Sequence, residues 1–384
     1  MEMAQIPLQK GETPVPCSNP MIAVKTGFVN RETGKPEYRF LYSYKAYREM
    51  WKQFDSFLEA ELRDSGVHSV FCSSVEPEAE PVVVYDKDTG EFVGRSYVRP
   101  AMLLPCGQCL ECRTRYAAQW ADRIVLEARY HDQSFFVTLT YDEDHVPPVV
   151  DSAGNTNYTL FPKDLQDFVK RFRDQQSYHH DNKIRFYAVG EYGHLHHRPH
   201  YHIIVFGAIL DDLRPMGKSM VGTPLHTSET IEKLWQRGRV EVEPLSWESA
   251  CYCARYTVKK LGKSETDFYE KLGIIPEFTR MSLKPAIGAR YLEDNIERIY
   301  KSDEIFIPTT ESVRHCKPPH YYDEKYDLIF PEQMASIKEN RKDVAKEALR
   351  LKLDRFSGSY LELLENEHQK FINNKPNLKR RNLE

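Results

Sequence analysis

No apolar run in the 384-residue chain approaches the ~18 positions a transmembrane helix needs, which excludes such a helix. An excess of either charge is also missing. Lys and Arg number 53 against 57 Asp and Glu, a formal net charge of −4. That excludes a globally basic, sheath-like nucleic-acid coat and leaves room for one local basic patch. The phosphate-loop pattern G-x-x-x-x-G-K-[ST] is absent. Gly262-Lys-Ser264 and Gly217-Lys-Ser219 come nearest, but the positions five before each glycine hold Thr257 and Asp212. A built-in ATPase or helicase motor is thereby excluded. Met1 to Lys10 lacks the apolar core of a signal peptide, and no internal repeat or low-complexity tract occurs. The expectation is a soluble, cytosolic protein with no membrane partner. Its eight cysteines are then reduced thiols or metal ligands rather than disulfides.

What is present supports a folded core. Hydrophobic residues make up 41% and charged residues 29%, far from a disordered composition. At about 100–200 residues per domain, the length predicts two or three domains, or one with large additions. Residues 1–34 read as irregular, rich in Pro, Gly and Thr. Tyr38 to Tyr44 is strand-like, and Trp51, Phe54, Phe57, Leu58 and Leu62 follow a helical pattern. Pro81 to Tyr85 and Glu91 to Val98, around Asp88-Thr-Gly90, read as a hairpin. After Cys106-Gly-Gln-Cys109-Leu-Glu-Cys112 a helix is predicted from Arg113 to Tyr130.

The middle of the chain has the most regular order. Strands are predicted at Phe135–Tyr141, Ile184–Gly190, Tyr201–Phe206 and Arg239–Glu243. Helices are predicted at Phe161–Gln175, Ser228–Gln236 and Ser246–Leu261. The order β-α-β-β-α-β-α predicts an α+β fold, a ferredoxin/RRM-like antiparallel sheet with helices on one face and the last helix additional. Residues 331–372 hold two helical patterns, and Lys379-Arg-Arg381 forms a basic tail. The expected division is 1–105, an N-terminal β-containing extension with the hairpin, then 106–305, then a helical region 306–384.

The stretch Gly190 to Gly207 carries the chemistry. His200 and His202 open an apolar strand, and the period of two sets both imidazoles on one sheet face. Two imidazoles on one face can share a divalent ion. Glu191 ends the preceding strand, so its carboxylate reaches the pair if the strands are neighbours. Two histidines and one carboxylate leave coordination positions free for catalysis. A rival pair, His194-Leu-His196, falls in the loop, where spacing does not hold side chains together. His197 reads as a loop residue. The apolar run behind His200 and His202 makes them the preferred pair.

A second element lies on the helix Ala250–Leu261. Tyr252 and Tyr256 are four apart and project from one face, with Lys259 on that face and Lys260 four beyond Tyr256. Aromatics four apart on a helix usually pack into a core. A tyrosine has an ordinary pKa of about 10, and a neighbouring ammonium lowers it toward the nucleophilic phenolate. A metal would polarise the phosphate under attack.

Together these elements resemble the HUH endonucleases, the rolling-circle replication initiators. The likeness is greatest to the initiators of single-stranded DNA microviruses, including the gokushovirus-like branch. Phe136-Val-Thr-Leu-Thr-Tyr141 resembles their first motif and Arg198-Pro-His-Tyr-His202 their metal motif. Tyr252-x-x-x-Tyr256-x-x-Lys259-Lys260 resembles their nucleophile helix, and Gly190-Glu191-Tyr-Gly193 fits the position of the third metal ligand. The resemblance spans about residues 106–262. Tyr201 departs from the aliphatic residue of many relatives, on the side facing away from the metal. The nucleophile follows the histidines, as in the replication branch rather than the relaxases.

The resemblance implies a metal-dependent endonuclease with strand-transfer activity in 106–305. Glu191, His200 and His202 would hold Mg²⁺ or Mn²⁺. Tyr252 and Tyr256 would attack a single-stranded DNA origin in alternation, giving a 5′-phosphotyrosine and a free 3′-OH. Which tyrosine acts first stays open. Host DNA polymerase and helicase are the implied partners, and the host cytoplasm the implied location. Two other classes remain. One is a non-catalytic zinc-stabilised nucleic-acid-binding module. The other is a metal-dependent phosphoesterase without a covalent intermediate.

Cys106, Cys109 and Cys112 have the spacing of metal ligands, and tetrahedral zinc needs a fourth. Cys17 is the candidate and Cys72 its competitor. Microvirus initiators carry a similar Cys-rich run. An iron–sulfur cluster is the less fitting alternative, since nothing else suggests redox chemistry. Cys251, Cys253 and Cys316 read as packing residues. From Tyr252 to Arg290 the chain holds eight basic and four acidic residues, a candidate patch for a phosphate backbone. Arg280 to Arg290, with Tyr291 following, is a candidate strand-binding loop, and the basic tail a non-specific DNA contact.

Overall fold

The structure is a computed structural model. It describes residues 17–31, 34, 36–72, 80–85, 92–193, 197–219, 222–257, 263–309 and 312–374. The chain forms two compact units, one containing 113–329, the other 13–112 and 330–384. The ends of the chain therefore contribute to the same unit.

That unit begins with β1 (Met21–Val29) and β2 (Pro36–Ser43), then α1 (Tyr44–Met50), a 3-10 turn and α2 (Asp55–Ser65). Strands β3 (His68–Cys72), β4 (Glu80–Tyr85) and β5 (Phe92–Leu104) follow. The antiparallel order is β2-β1-β5-β3, with β4 also on β5. The hairpin expected around Asp88 is the β4–β5 pair. Strand β1 corrects the reading of residues 1–34 as irregular. Met21-Ile-Ala-Val24 is too short to show a period, and it is a strand because β5 and β2 supply its hydrogen bonds. Ile22 and Val24 are buried with Tyr44, Tyr47, Leu58 and Phe71. Ser43 caps α1 by accepting from Ala46 N, and Gly66 ends α2 in the left-handed region. The single helix expected over 51–62 is divided instead, because Trp51 closes α1 and the 3-10 turn intervenes.

The helix α3 (Leu110–Ala128) leads into the other unit. There β6 (Ser134–Tyr141), short strands β7 (Pro148–Val150) and β8 (Thr156–Tyr158), and α4 (Pro162–His180) precede β9 (Arg185–Tyr192) and β10 (Pro199–Phe206). Then come β11 (Leu213–Lys218), β12 (Pro224–Ser228), α5 (Glu229–Trp235), β13 (Gly238–Pro244) and α6 (Trp247–Thr257). The unit closes with α7 (Lys263–Leu272), β14 (Phe278–Met281), α8 (Ala289–Ser302), β15 (Ile305–Pro308), β16 (Val313–Cys316) and α9 (His320–Ile329). Helices α10 (Pro331–Asp354) and α11 (Tyr360–Asn374) belong to the first unit. Arg63 of α2 donates to the carbonyls of Leu353 and Gly358, and Leu62 packs on Leu353 and Leu363.

Seven strands make one antiparallel sheet in the order β11-β12-β13-β6-β10-β9-β14. The period of two divides its side chains. Phe135, Val137, Leu139, Tyr201, Ile203 and Val205 face α4 and α5, where Leu165, Phe168, Phe172, Ile231 and Trp235 meet them. Phe136, Tyr187, Val189, Ile204 and Phe206 face α3 and α6, against Ala117, Ala121, Ile124, Ala250 and Ala254. Helices thus cover both faces of the sheet, not one as expected. The apolar run of β10 is continuous for this reason, since strands buried on both sides lose their alternation. Each fully buried side chain of this size contributes about 1.5–3 kcal/mol.

The departure at Tyr201 has a physical role. Its hydroxyl accepts from Phe161 N and donates to Phe161 O, both at 2.9 Å, fastening the start of α4 to β10. Gly238, at φ +135, keeps β13 close to β6. A Cβ there would meet Thr140 O and Asp142 N at 2.4 Å. Among the described residues, no helix is long and apolar enough to cross a membrane.

Candidate active site

His200 and His202 lie on β10 with their rings on the α3–α6 face, as Ile204 and Phe206 do further along. Glu191, on β9, is the direct register partner of His200. His200 Nε2 is 2.6 Å from Glu191 Oε1 and His202 Nε2 is 3.0 Å from the same oxygen. The rings stand edge to face with centroids 4.9 Å apart. One ligand atom from each of the three residues lies within 4.8 Å of the others.

The outer nitrogens are also held. His200 Nδ1 meets the Arg198 carbonyl at 3.1 Å, and His202 Nδ1 meets Thr138 Oγ1 at 2.9 Å. A carbonyl only accepts, so His200 Nδ1 carries a proton and its Nε2 is turned to the shared centre. Thr138 is a residue that sequence reasoning missed as a participant. Its signal was the period of two in Phe136-Val-Thr, which sends Phe136 and Thr138 to the histidine face. Phe136 stacks on His202 with centroids 5.1 Å apart.

Electrostatics follow from burial and proximity. Burial pushes the Glu191 carboxyl up, but the charge of His202 and the hydrogen bonds from both imidazoles outweigh it. They hold Glu191 well below the usual carboxylate range. Burial opposes the His200 cation, yet Glu191 and the Arg198 carbonyl raise its pKa above the ordinary value. His202 is held below it by burial, against the pull of Glu191. Glu277 adds negative charge beside His200, and its Oε1 accepts from Tyr192 N at 3.3 Å. No local motif could have announced that residue, which is 77 positions beyond His200 in the chain.

Glu191 is only 2% exposed, and its Oε2 has no hydrogen-bond partner among the described residues. A buried carboxylate oxygen without a partner is costly, and a cation relieves that cost. Two imidazoles and a carboxylate fit a divalent ion with open positions. Their nitrogen content suits Mn²⁺ better than Mg²⁺.

The helix α6 brings a hydroxyl to the same point. Ala250, Cys251, Cys253 and Ala254 pack it onto the sheet. Trp247 Nε1 fastens its first turn by donating to Asp122 at 2.8 Å. Tyr252 Oη donates to Glu191 Oε1 at 3.0 Å, and its ring stands edge-on to His202 at 5.1 Å. Glu191, His200, His202 and Tyr252 are thus together. Tyr256 follows one turn later on α6, but its side chain lies outside the described residues, as do Lys259, Lys260, His194 and His196. His197 is an exposed loop residue at φ +46.

Elsewhere, Cys17, Cys106, Cys109 and Cys112 converge, with one sulfur from each within 4.8 Å of the others. The Cys72 side chain lies outside the described residues. Cys251 and Cys253 are buried, as packing residues should be, and Cys316 Sγ contacts Asp122 at 3.6 Å. The stretch Arg280–Arg290 is not one loop. Arg280 ends in β14, Arg290 starts α8, and Tyr291 is buried, which withdraws it from stacking on a strand.

Comparison with known proteins gives a consistent result. A family model described as replication-associated protein ORF2 matches residues 134–261, from β6 to the end of the predicted nucleophile helix. Replication-associated protein ORF2 of Spiroplasma virus 4 is 36% identical over 273 residues, covering 70% of this chain and 82% of that protein. Replication-associated protein VP4 of Bdellovibrio phage phiMH2K is 29% identical over 248 residues, 63% of this chain and 74% of that protein. Replication-associated protein ORF4 of Chlamydia phage 1 is 34% identical over 161 residues, 41% of this chain and 38% of that protein. No solved structure matches the chain. On this similarity the chain belongs to the replication-associated proteins of microviruses, as a protein of phage DNA replication initiation.

Proposed function

We propose that this protein nicks and rejoins single-stranded DNA at the phage origin through a 5′-phosphotyrosine, starting and ending rolling-circle replication. The observation that carries the reading is the meeting of a tyrosine hydroxyl and two imidazoles on one carboxylate oxygen, Glu191 Oε1. A purely structural tyrosine has no need of that partner.

The topology supports the same reading. Of the six elements β6, α4, β9, β10, α5 and β13, the strands lie in the order fourth, first, third, second. That is the strand order of a ferredoxin-like core, as the HUH nuclease assignment requires. The unit of 113–329 then corresponds to most of the endonuclease domain expected at 106–305, with the cysteine run at its entry.

Glu191, His200 and His202 would hold Mn²⁺ or Mg²⁺, which when bound neutralises charge on the scissile phosphate. The chain's own residues do the rest. Glu191 orients the Tyr252 hydroxyl, and Phe136 and His202 confine its ring. Tyr252 Oη forms a bond to phosphorus while the 3′-oxygen leaves and gains a proton. Lys259 and Lys260 favour the phenolate. The phosphodiester energy is kept in the tyrosyl ester, so rejoining needs no nucleotide, in keeping with the missing phosphate loop. Tyr256 serves the second cleavage, and the released 3′-OH then attacks the first ester to close the circle. Host polymerase extends the 3′-OH, and a host helicase opens the duplex.

The test uses labelled single-stranded oligonucleotides tiled over the phage genome, with Mn²⁺. The reading requires an SDS-resistant protein–DNA adduct that Tyr252→Phe/Tyr256→Phe abolishes. Nicking that persists in the double variant means a phosphoesterase without covalent intermediate. Binding without cleavage means a non-catalytic module.

A further inference from the structure

The cysteine cluster lies within a single compact unit and apart from the catalytic residues. Cys106 and Cys109 occupy the turn before α3, Cys112 its first turn, and Cys17 comes from 89 positions before Cys106. Cys17 Sγ is 3.4 Å from Cys106 Sγ and 3.6 Å from Cys109 Sγ. A tetrahedral ion with Zn–S bonds of about 2.3 Å separates its sulfurs by about 3.8 Å. A disulfide needs about 2.05 Å and joins only two sulfurs.

The backbone is arranged for thiolates. Cys106 N points to Cys17 Sγ at 3.3 Å, while Gln108 N and Cys109 N point to Cys106 Sγ at 3.4 and 3.3 Å. Amide donation to sulfur stabilises the negative charge of a metal-bound thiolate. Gly107, at φ +73 with open space where a Cβ would be, lets the chain turn tightly between Cys106 and Cys109.

A polar clamp adjoins the cluster. Glu111, fully buried between Cys109 and Cys112 in sequence, accepts from Ser18 Oγ at 3.0 Å and pairs with His368 Nδ1 of α11. Three distant segments, at 17–18, 106–112 and 368, therefore meet around the thiols and this carboxylate.

We propose that Cys17, Cys106, Cys109 and Cys112 form a closed tetrathiolate zinc site, and that it fastens the segment before β1 to the start of α3. Four protein sulfurs leave no open position, so the ion is structural and takes no part in DNA cleavage. The Glu111–His368 contact extends the junction to α11 without touching the ion. Cys17, not Cys72, is the fourth ligand. The site is independent of the proposed nuclease chemistry.

Metal analysis of the purified full chain tests this. About one zinc per chain should survive dialysis, as expected for a closed tetrathiolate. It should be retained in His200→Ala/His202→Ala and lost from Cys17→Ser and Cys109→Ser. A mercurial titration of the native chain guards against variants that fail to fold. Zinc should be released in step with the cluster thiols. Cobalt exchanged into the chain should show the absorption of a tetrahedral thiolate complex. His368→Ala should keep its zinc and melt earlier. Absence of zinc with freely titrating thiols overturns the proposal. So does iron in its place, or zinc that leaves with the histidine pair.

Discussion

The hydroxyl of Tyr252 donates to Glu191 Oε1, the same oxygen that His200 and His202 face through Nε2. Removing that hydroxyl deletes the proposed nucleophile while leaving the ring in place. Tyr252→Phe should lower adduct formation in a single turnover by more than about 10³-fold. The stability change should stay near the ~1 kcal/mol of one hydrogen bond. An adduct of normal yield in this variant would transfer the first attack to Tyr256.

Thr138 Oγ1 holds the outer nitrogen of His202 at 2.9 Å. Val has the same shape without the hydroxyl. Thr138→Val should raise the Mn²⁺ concentration needed for half-maximal cleavage by about 10–100-fold, the usual cost of losing an orienting partner. Saturating Mn²⁺ should restore most of the rate. A metal titration identical to that of the parent protein would remove Thr138 from the site.

The two histidine pairs make opposite predictions. His202→Ala should abolish cleavage, and His194→Ala should retain it, because only the former stands with Glu191 on the sheet. The experiment is a parallel cleavage assay of both purified variants. Loss of activity in His194→Ala with retention in His202→Ala would relocate the metal site to the loop.

His68, on β3, lies edge to face with Tyr44 and Tyr360, with centroids 5.3 and 4.8 Å away. Burial, then the charge of Arg48, lowers its pKa to about 3. Unfolded histidine has a value of about 6.5. Between these values the unfolded chain takes up a proton that the folded chain refuses. Stability contributed by neutral His68 is therefore full above pH ~6.5 and is lost as pH falls toward 3, at up to about 1.4 kcal/mol per pH unit. Denaturant melts from pH 7 to 4 should show this slope. His68→Gln should flatten it, and an unchanged slope would assign it to other groups.

Much of the candidate site was legible because it depends on local geometry. His200 and His202 share a face because strand side chains alternate, and the spacing of Tyr252 and Tyr256 follows from the helical repeat. The succession of strands and helices from Ser134 to Thr257 was visible in apolar periods. Strand β1 was not, since four apolar residues have no period, and its hydrogen bonds come from β5 and β2. The second helical layer was also hidden. Ala117 and Ala121 are small and ambiguous until Ile204 and Phe206 are set against them.

The sequence by itself determined which residue types could do chemistry and which of them share a segment's face, because backbone geometry repeats over a few residues. Only the tertiary structure decided that Glu191 stands opposite His200, that Thr138 orients His202, and that Tyr252 reaches the common oxygen. The same holds for Cys17 joining a run that begins 89 positions later. These are choices of strand register and helix docking. They are set by which distant apolar surfaces exclude water together, and no short stretch of chain carries that information.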